Sequence, residues 1–275
     1  MTVINIKSRK NTMIIKDTAI IHKRAELCNE IRDDKYEIEL DLNHKDIGVG
    51  MSGGMDSSLL LWLLAYHISE NELDTTIHIW TCIHEEKPGQ AVHSKKAIEF
   101  VKKEFPNVNF GEHMTRVTTA KDYIANGTKL AYELIRKHGI TALYNGVTLN
   151  PSNEIGEAVW KHRWETRVPS RNWETRQKWI DANPQEVYNP RHTEYRPFIH
   201  SDKRVVLAFY KKYGLYVSLG SLTRSCEGFI ETTNYFTETC KECWWCIEKE
   251  WATSDIFNYE SKIMLDNWAT FKEKK

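Results

Sequence analysis

Apolar and polar positions change their spacing several times along this 275-residue chain, and each change predicts an element. Residues 18–33 set Ile20, Ile21, Ala25, Leu27, Cys28 and Ile31 at helical spacing, which predicts a helix within a leading segment, residues 1–44. Residues 47–51 (IGVGM) form a short apolar run, the mark of a buried strand, and a helix follows from residue 55. Residues 75–84 are rich in β-branched and aromatic side chains, which predicts a strand. Residues 90–105 repeat apolar positions at Val92, Ala97, Ile98, Val101 and Phe105, predicting a helix. A third strand is expected over 107–114. A helix over 119–139 follows, with a break near Gly127 and Gly139 as its C′ residue. A fourth strand is expected over 140–149.

Such alternation implies right-handed crossovers and an α/β fold, a mainly parallel sheet flanked by helices and Rossmann-like in outline. In these sheets ligands sit beyond the carboxyl ends of the strands, which is where the Ser52–Gly53–Gly54 turn falls. Residues 150–197 interrupt the pattern with prolines, tryptophans and arginines and no clear strand. They read as a long excursion with one or two helices, suited to covering a substrate. Residues 201–215 are helical again, with Ser201 or Asp202 as N-cap, and a closing helix is predicted over 254–273. The expected organisation is 1–44, a nucleotide-binding core over 45–149, the excursion over 150–197, and a cysteine-bearing segment over 198–275.

Composition narrows the classes. The 38 basic and 38 acidic residues cancel, which does not point to a protein that coats nucleic acid, although recognition of one structured RNA stays open. The longest strictly apolar run, residues 59–65, is too short to span a bilayer. With no apolar stretch of signal-peptide type near the N-terminus, a cytoplasmic location is expected. Ten tryptophans, mostly in the second half, predict large packing surfaces there. Cys28 and Cys82 stand alone and read as buried apolar residues.

The turn after the first core strand carries candidate chemistry. Gly53 and Gly54 permit a tight bend and close approach to a ligand, and the following helix start offers unpaired N–H groups to an anion. Ser52, Ser57 and Ser58 add hydroxyls. Asp56 would repel a phosphate unless it caps the helix, binds Mg²⁺, or does both. No lysine is present, so the loop is not of the Walker type. The plain alternative is a capped strand-to-helix turn. Downstream, Cys226, Cys240, Cys243 and Cys246 stand at spacings x13, x2 and x2. Four thiolates fill a tetrahedral structural Zn²⁺ site, and clustered cysteines also hold [4Fe–4S] groups.

Ser52-Gly53-Gly54-Met55-Asp56-Ser57 resembles the SGGxDS signature of the PP-loop ATP pyrophosphatases. Together with the cysteine cluster, the stretch 197–215, residues 221–226 and LYNGV at 143–147, the chain resembles the 7-cyano-7-deazaguanine synthase family over roughly 45–150 and 195–250. That resemblance implies an adenine nucleotide α-hydrolase-like fold with a C-terminal zinc subdomain built on the four cysteines. It also implies an ATP-dependent C–N ligase that adenylates the carboxylate of 7-carboxy-7-deazaguanine. Ammonia then gives the amide and the nitrile, with AMP and pyrophosphate released. The implied cofactors are ATP, Mg²⁺ and Zn²⁺, and the partners are a 7-deazaguanine-type substrate and ammonia; a homodimer fits this reading. Met51, Ser52, Gly53, Gly54, Met55, Asp56, Ser57 and Ser58 would hold the phosphates, and Asp56, Ser57, Lys203 and Arg224 would be catalytic.

Two departures stand out. The family's Tyr-Pro-Asp-Cys-Arg type segment is absent, the 150–197 excursion taking its place, and the first cysteine spacing is wide. Arg163, Arg167, Arg171, Arg176, Arg191 and Arg196 lie in that excursion, where a solvated face is expected for most of them. The rivals are a PP-loop tRNA-thiolation enzyme, an enzyme adenylating another carboxylate, and a module binding RNA or a partner through a nucleotide fold.

Overall fold

The first element is a β-hairpin, in place of the helix expected near residues 18–33. In this computed structural model, which describes residues 13–24, 31–119, 121–160, 186–189, 191–228, 232–235 and 237–257, β1 (Ile14–Arg24) pairs antiparallel with β2 (Ile31–Asp41). Ile15, Asp17, Ala19 and Ile21 face inward with Ile38 and Leu40, while Ile20 is 44% exposed. That is period two, the strand repeat. A buried aspartate at one inward position hides the alternation and leaves helical spacing as the stronger pattern. Ala25, Leu27 and Cys28 lie outside the described residues.

The core follows as β3 (Asp46–Gly50), α1 (Met55–Glu70), β4 (Thr76–His84), α2 (Gly89–Glu104), β5 (Asn109–Thr118), α3 (Tyr123–His138), β6 (Ala142–Tyr144) and α4 (Asn153–Trp160). Beyond lie β7 (Glu186–Asn189), β8 (His192–Tyr195), α5 (Lys203–Lys212), α6 (Leu219–Leu222) and α7 (Trp244–Phe257). The sheet order is β5-β4-β3-β6-β8-β7; five strands run parallel and β7 is antiparallel to β8. This is a Rossmann-like sheet with a reversal of strand progression between β3 and β6. At such a switch point a crevice opens beyond the strand ends. Among the described residues no helix is long and apolar enough to cross a membrane.

Local sequence explains most of these elements. Residues 59–65 of α1 are all buried, as expected for a helix enclosed on every side. Gly139 closes α3 with φ +66°, its N–H bonding the Ile135 carbonyl, a left-handed C-cap. The break expected near Gly127 is absent: α3 runs through it, with Cys82 packed opposite. Asp202 caps α5 by accepting from the Arg204 N–H at 2.9 Å. The excursion read as strandless supplies β7 and β8. Each is four residues long, and β8 reads His-Thr-Glu-Tyr, too short and polar to give a strand signal. Residues 161–185, with Arg163, Arg167, Arg171 and Arg176, lie outside the described residues, as does the closing helix past Phe257.

The hairpin is fastened by Asp17, whose side chain is fully buried. It accepts from His67 Nε2 of α1 at 3.1 Å, from the Tyr213 hydroxyl at 2.6 Å and from Lys212 Nζ. Burial alone raises the Asp17 carboxyl; the hydrogen bonds from His67, Lys212 and Tyr213 outweigh it and set the pKa at about 2. A folded-state pKa below the unfolded value stabilises above the unfolded pKa and is lost as pH falls toward the folded one. Asp17 therefore contributes on the order of 2 kcal/mol at neutral pH, lost between about pH 4 and pH 2. Asp17→Asn is expected to lower urea stability by roughly that amount or more at pH 7, with a smaller penalty at pH 2.5. Equal stability of the two proteins at pH 7 would show that the network holds nothing.

Candidate active site and metal centre

The turn after β3 is shaped by backbone contact on three sides. Met51 N–H bonds the Trp80 carbonyl at 2.8 Å, drawing the chain out along β4. Gly53 has φ +77°, and a Cβ there would lie 2.7 Å from Ser94 N and 2.9 Å from the Gln90 carbonyl of α2. No other residue fits both the dihedral and the space. From the far side, the Arg224 N–H donates to the Gly53 carbonyl at 2.8 Å. Gly146, just past β6, presses on the first turn of α1, where a Cβ would meet Ser57 N at 2.7 Å.

Within the loop, the Ser52 and Ser57 hydroxyls are 3.1 Å apart, and Gly54 N–H donates to Ser52 Oγ at 3.3 Å. These two serines face the cleft. Met55 and Ser58 do not: both are fully buried, the Met55 carbonyl accepts from the Tyr210 hydroxyl, and Ser58 Oγ has no partner among the described residues. Asp56 is not the helix cap. The N-cap is Gly54, with no side-chain cap bond, and Asp56 lies in the first turn. Its carboxylate receives Lys203 Nζ at 2.6 Å on each oxygen. Lys203 is 1% exposed and also stands 4.0 Å from the buried Glu248. Lys203 is thus a buried counter-ion that fixes Asp56, which keeps 17% exposure. Arg224 is buried, its guanidinium donating to the Glu238 carbonyl.

A cavity of about 350 Å³ opens at the switch point, walled by Met51, Ser52 and Ser57, by Trp80 and Cys82 of β4, and by Tyr123 and Gly127 of α3. Asn145, His192 and Glu194 close the β6–β8 side. Asn145 Nδ2 donates to Glu194 at 2.8 Å, and Arg196 holds the same carboxylate through two nitrogens, at 2.6 and 3.2 Å. Arg196 is therefore buried and paired, unlike the solvated face expected of its segment; Arg191 is exposed. Burial, and next the neighbouring Cys82, push the Tyr123 hydroxyl up to about 12. Sequence reading missed Trp80, Tyr123, Asn145, His192 and Glu194. The signal available was Asn145-Gly146, placed directly after the strand at the switch point.

The four cysteines converge as their spacing suggests, all sulfurs lying within 4.8 Å of one another. Cys226 and Cys240 are 3.5 Å apart, and Cys240 and Cys246 are 3.9 Å apart. A tetrahedral ion with sulfurs at 2.3 Å sets them about 3.8 Å apart, so this donor set fits one ion. A [4Fe–4S] cube interposes its own bulk and needs wider thiolates. Backbone N–H groups of Gly228 and Cys240 point at Cys226 Sγ, and that of Cys243 at Cys240 Sγ, at 3.2–3.3 Å. Such donors stabilise thiolates. Hydrogen bonds from Cys243 and Cys246 hold the Cys226 thiol far below its ordinary pKa, while the same contacts drive those of Cys243 and Cys246 up. Four sulfurs so close carry full charge together only around a cation. Trp244 stacks on Trp160 at 4.7 Å and ties the centre to α4.

No family model matches the chain, and no curated protein does. Among solved structures, the U34-tRNA thiolase NcsA from Methanococcus maripaludis with its [4Fe-4S] cluster matches at 13% identity, over 80% of this chain and 72% of that one, with a TM-score of 0.38. A likeness this low carries no argument about chemistry.

Metal analysis of the purified protein is expected to give one ion per chain, lost with Cys243→Ser. A brown protein with several irons per chain would contradict the sulfur spacing.

Proposed function

We propose that this chain is an ATP-dependent adenylating enzyme of the PP-loop type, activating a carboxylate and aminating it with ammonia, its substrate a 7-deazaguanine-type acid. The observation that carries the reading is the position of the Ser52–Gly54 turn. It combines a glycine-shaped loop, two cleft-facing hydroxyls and the start of α1 at the switch point of a parallel sheet, beside a cavity of about 350 Å³. Backbone N–H groups and the helix dipole there favour an anion. The cavity behind, with Trp80, Tyr123 and Gly127, has room and apolar wall for a nucleoside.

In this reading the β- and γ-phosphates of ATP lie against Ser52, Ser57 and the α1 N-terminus. A carboxylate oxygen of the acceptor attacks the α-phosphorus, and the bond to the bridging oxygen breaks, releasing pyrophosphate. The acyl carbon then accepts the ammonia nitrogen, AMP leaves with the carboxylate oxygen, and the amine sheds a proton. A carboxylate is a poor acyl donor, and adenylation supplies the leaving group; the protein contributes position and charge. Asp56, held by Lys203, is the residue suited to Mg²⁺, which would offset phosphate charge; each of its oxygens retains a lone pair beyond the Lys203 bond. Zn²⁺ is the ion proposed for the four cysteines, closed and structural. Asn145 and Glu194, opposite the loop, are proposed to meet the acceptor.

The test is release of AMP and pyrophosphate from ATP with 7-deazaguanine acids, with and without ammonium. Release that requires the acid is expected, and Asp56→Ala should lower it roughly 100-fold while the circular dichroism stays unchanged. Turnover only with tRNA and a sulfur donor would move the assignment to thiolation. Tight RNA binding with no turnover would mark a binding module.

A further inference from the structure

On the β6–β8 side of the cleft, three polar residues hold more hydrogen-bonding capacity than the chain itself uses. Asn145 follows β6, its N–H bonding the Tyr195 carbonyl at 3.0 Å, and Glu194 of β8 stands in register with Leu143. The two side chains meet where Asn145 Nδ2 donates to Glu194 Oε1 at 2.8 Å. Arg196 grips the same carboxylate, Nε on Oε1 and a terminal nitrogen on Oε2. A carboxylate offers about four lone-pair positions, two on each oxygen. Both on Oε1 are filled, and Oε2 keeps one with no partner among the described residues.

That bond also orients the Asn145 amide. With Nδ2 turned to Glu194, Oδ1 is left as an acceptor with no partner among the described residues. A Cβ on Gly50 would come 2.7 Å from this oxygen and 2.9 Å from the Trp80 ring, so the glycine that ends β3 keeps it clear. Two residues before Glu194, on the same face of β8, His192 lines the cleft with Nδ1 buried and unpartnered among the described residues. A buried nitrogen left open costs free energy, and its ring stands on the wall that carries the two open acceptors.

We infer that Asn145 and Glu194 are specificity-determining residues, selecting the acceptor by two neighbouring N–H donors on one edge of a fused heterocycle. Two fixed acceptors repel a ring-nitrogen lone pair and are satisfied only by hydrogens. Adenine sets its amino group beside a ring-nitrogen acceptor on either edge, so this wall does not suit the base of ATP. A 2-amino-4-oxopyrimidine edge, as in 7-deazaguanine, sets a ring N–H beside an amino N–H. Arg196 meets the Glu194 charge fork to fork, which suits a neutral edge rather than a cation. The inference deepens the reading above, on which the choice of a 7-deazaguanine-type acid rests.

The test is calorimetric titration of the metal-replete full chain, without ATP, with 7-deazaguanine and with 7-deazahypoxanthine, which lacks the amino group. The wild type is expected to bind 7-deazaguanine ~10-fold or more tightly than its analogue. Glu194→Gln and Asn145→Ala, the second leaving the Glu194–Arg196 pair in place, should each weaken 7-deazaguanine ~10-fold with circular dichroism and bound metal unchanged. The preference should fall in the variant that has lost the partner of the amino group. Wild-type affinity in either variant, or a preference kept in both, overturns the proposal. So does equal binding, or no binding, of the two compounds by the wild type. Because the titration holds no ATP, failure of acid-dependent AMP release would overturn the adenylation reading and leave the edge preference standing.

Discussion

The backbone at Gly53 is the constraint on which the rest of the site depends. Its left-handed φ, the 2.7 Å approach to α2 and the Arg224 N–H on its carbonyl fix where the chain turns into α1. Any side chain there would collide with backbone, which does not yield. The turn is therefore clamped between α2 and the segment that runs into Cys226. His93 adds a second tie, its Nδ1 bonding the Leu222 carbonyl at 2.7 Å. Cysteine centre and loop are neighbours along one short stretch, and the shape of each bears on the other.

Charge is organised around the same point. Lys203, from the start of α5, reaches into the protein to meet Asp56, with Glu248 of α7 nearby. A buried ammonium without such partners would be costly. Three elements distant in sequence are thereby joined beneath the first turn of α1. On the opposite side, Asp17 joins the hairpin to α1 and α5 by the same logic. The sheet positions the loop, and buried ion pairs hold the helices that carry its neighbours.

How much of this is readable in the chain follows from the range of each signal. Buried parallel strands are apolar runs, a glycine turn is local, and C-x2-C spacing acts within one knuckle, so core, loop and cysteines can be read directly. The hairpin cannot, because Asp17 occupies a core position for the sake of His67, Lys212 and Tyr213, all far away in sequence. β8 escapes notice because its cleft-facing residues, His192 and Glu194, are polar. Asp56 reads as a cap because its true partner is 147 residues downstream.

If the cysteine segment shapes the loop through Arg224 and Gly53, the two must respond together. The direct measurement is the affinity of a non-hydrolysable ATP analogue for metal-loaded and for chelator-treated protein, with circular dichroism recorded on both. Metal removal is predicted to weaken the analogue ~10-fold or more while the helical signal of the core persists. Equal affinity in the metal-free protein would contradict the account, leaving the loop shaped by α2 alone.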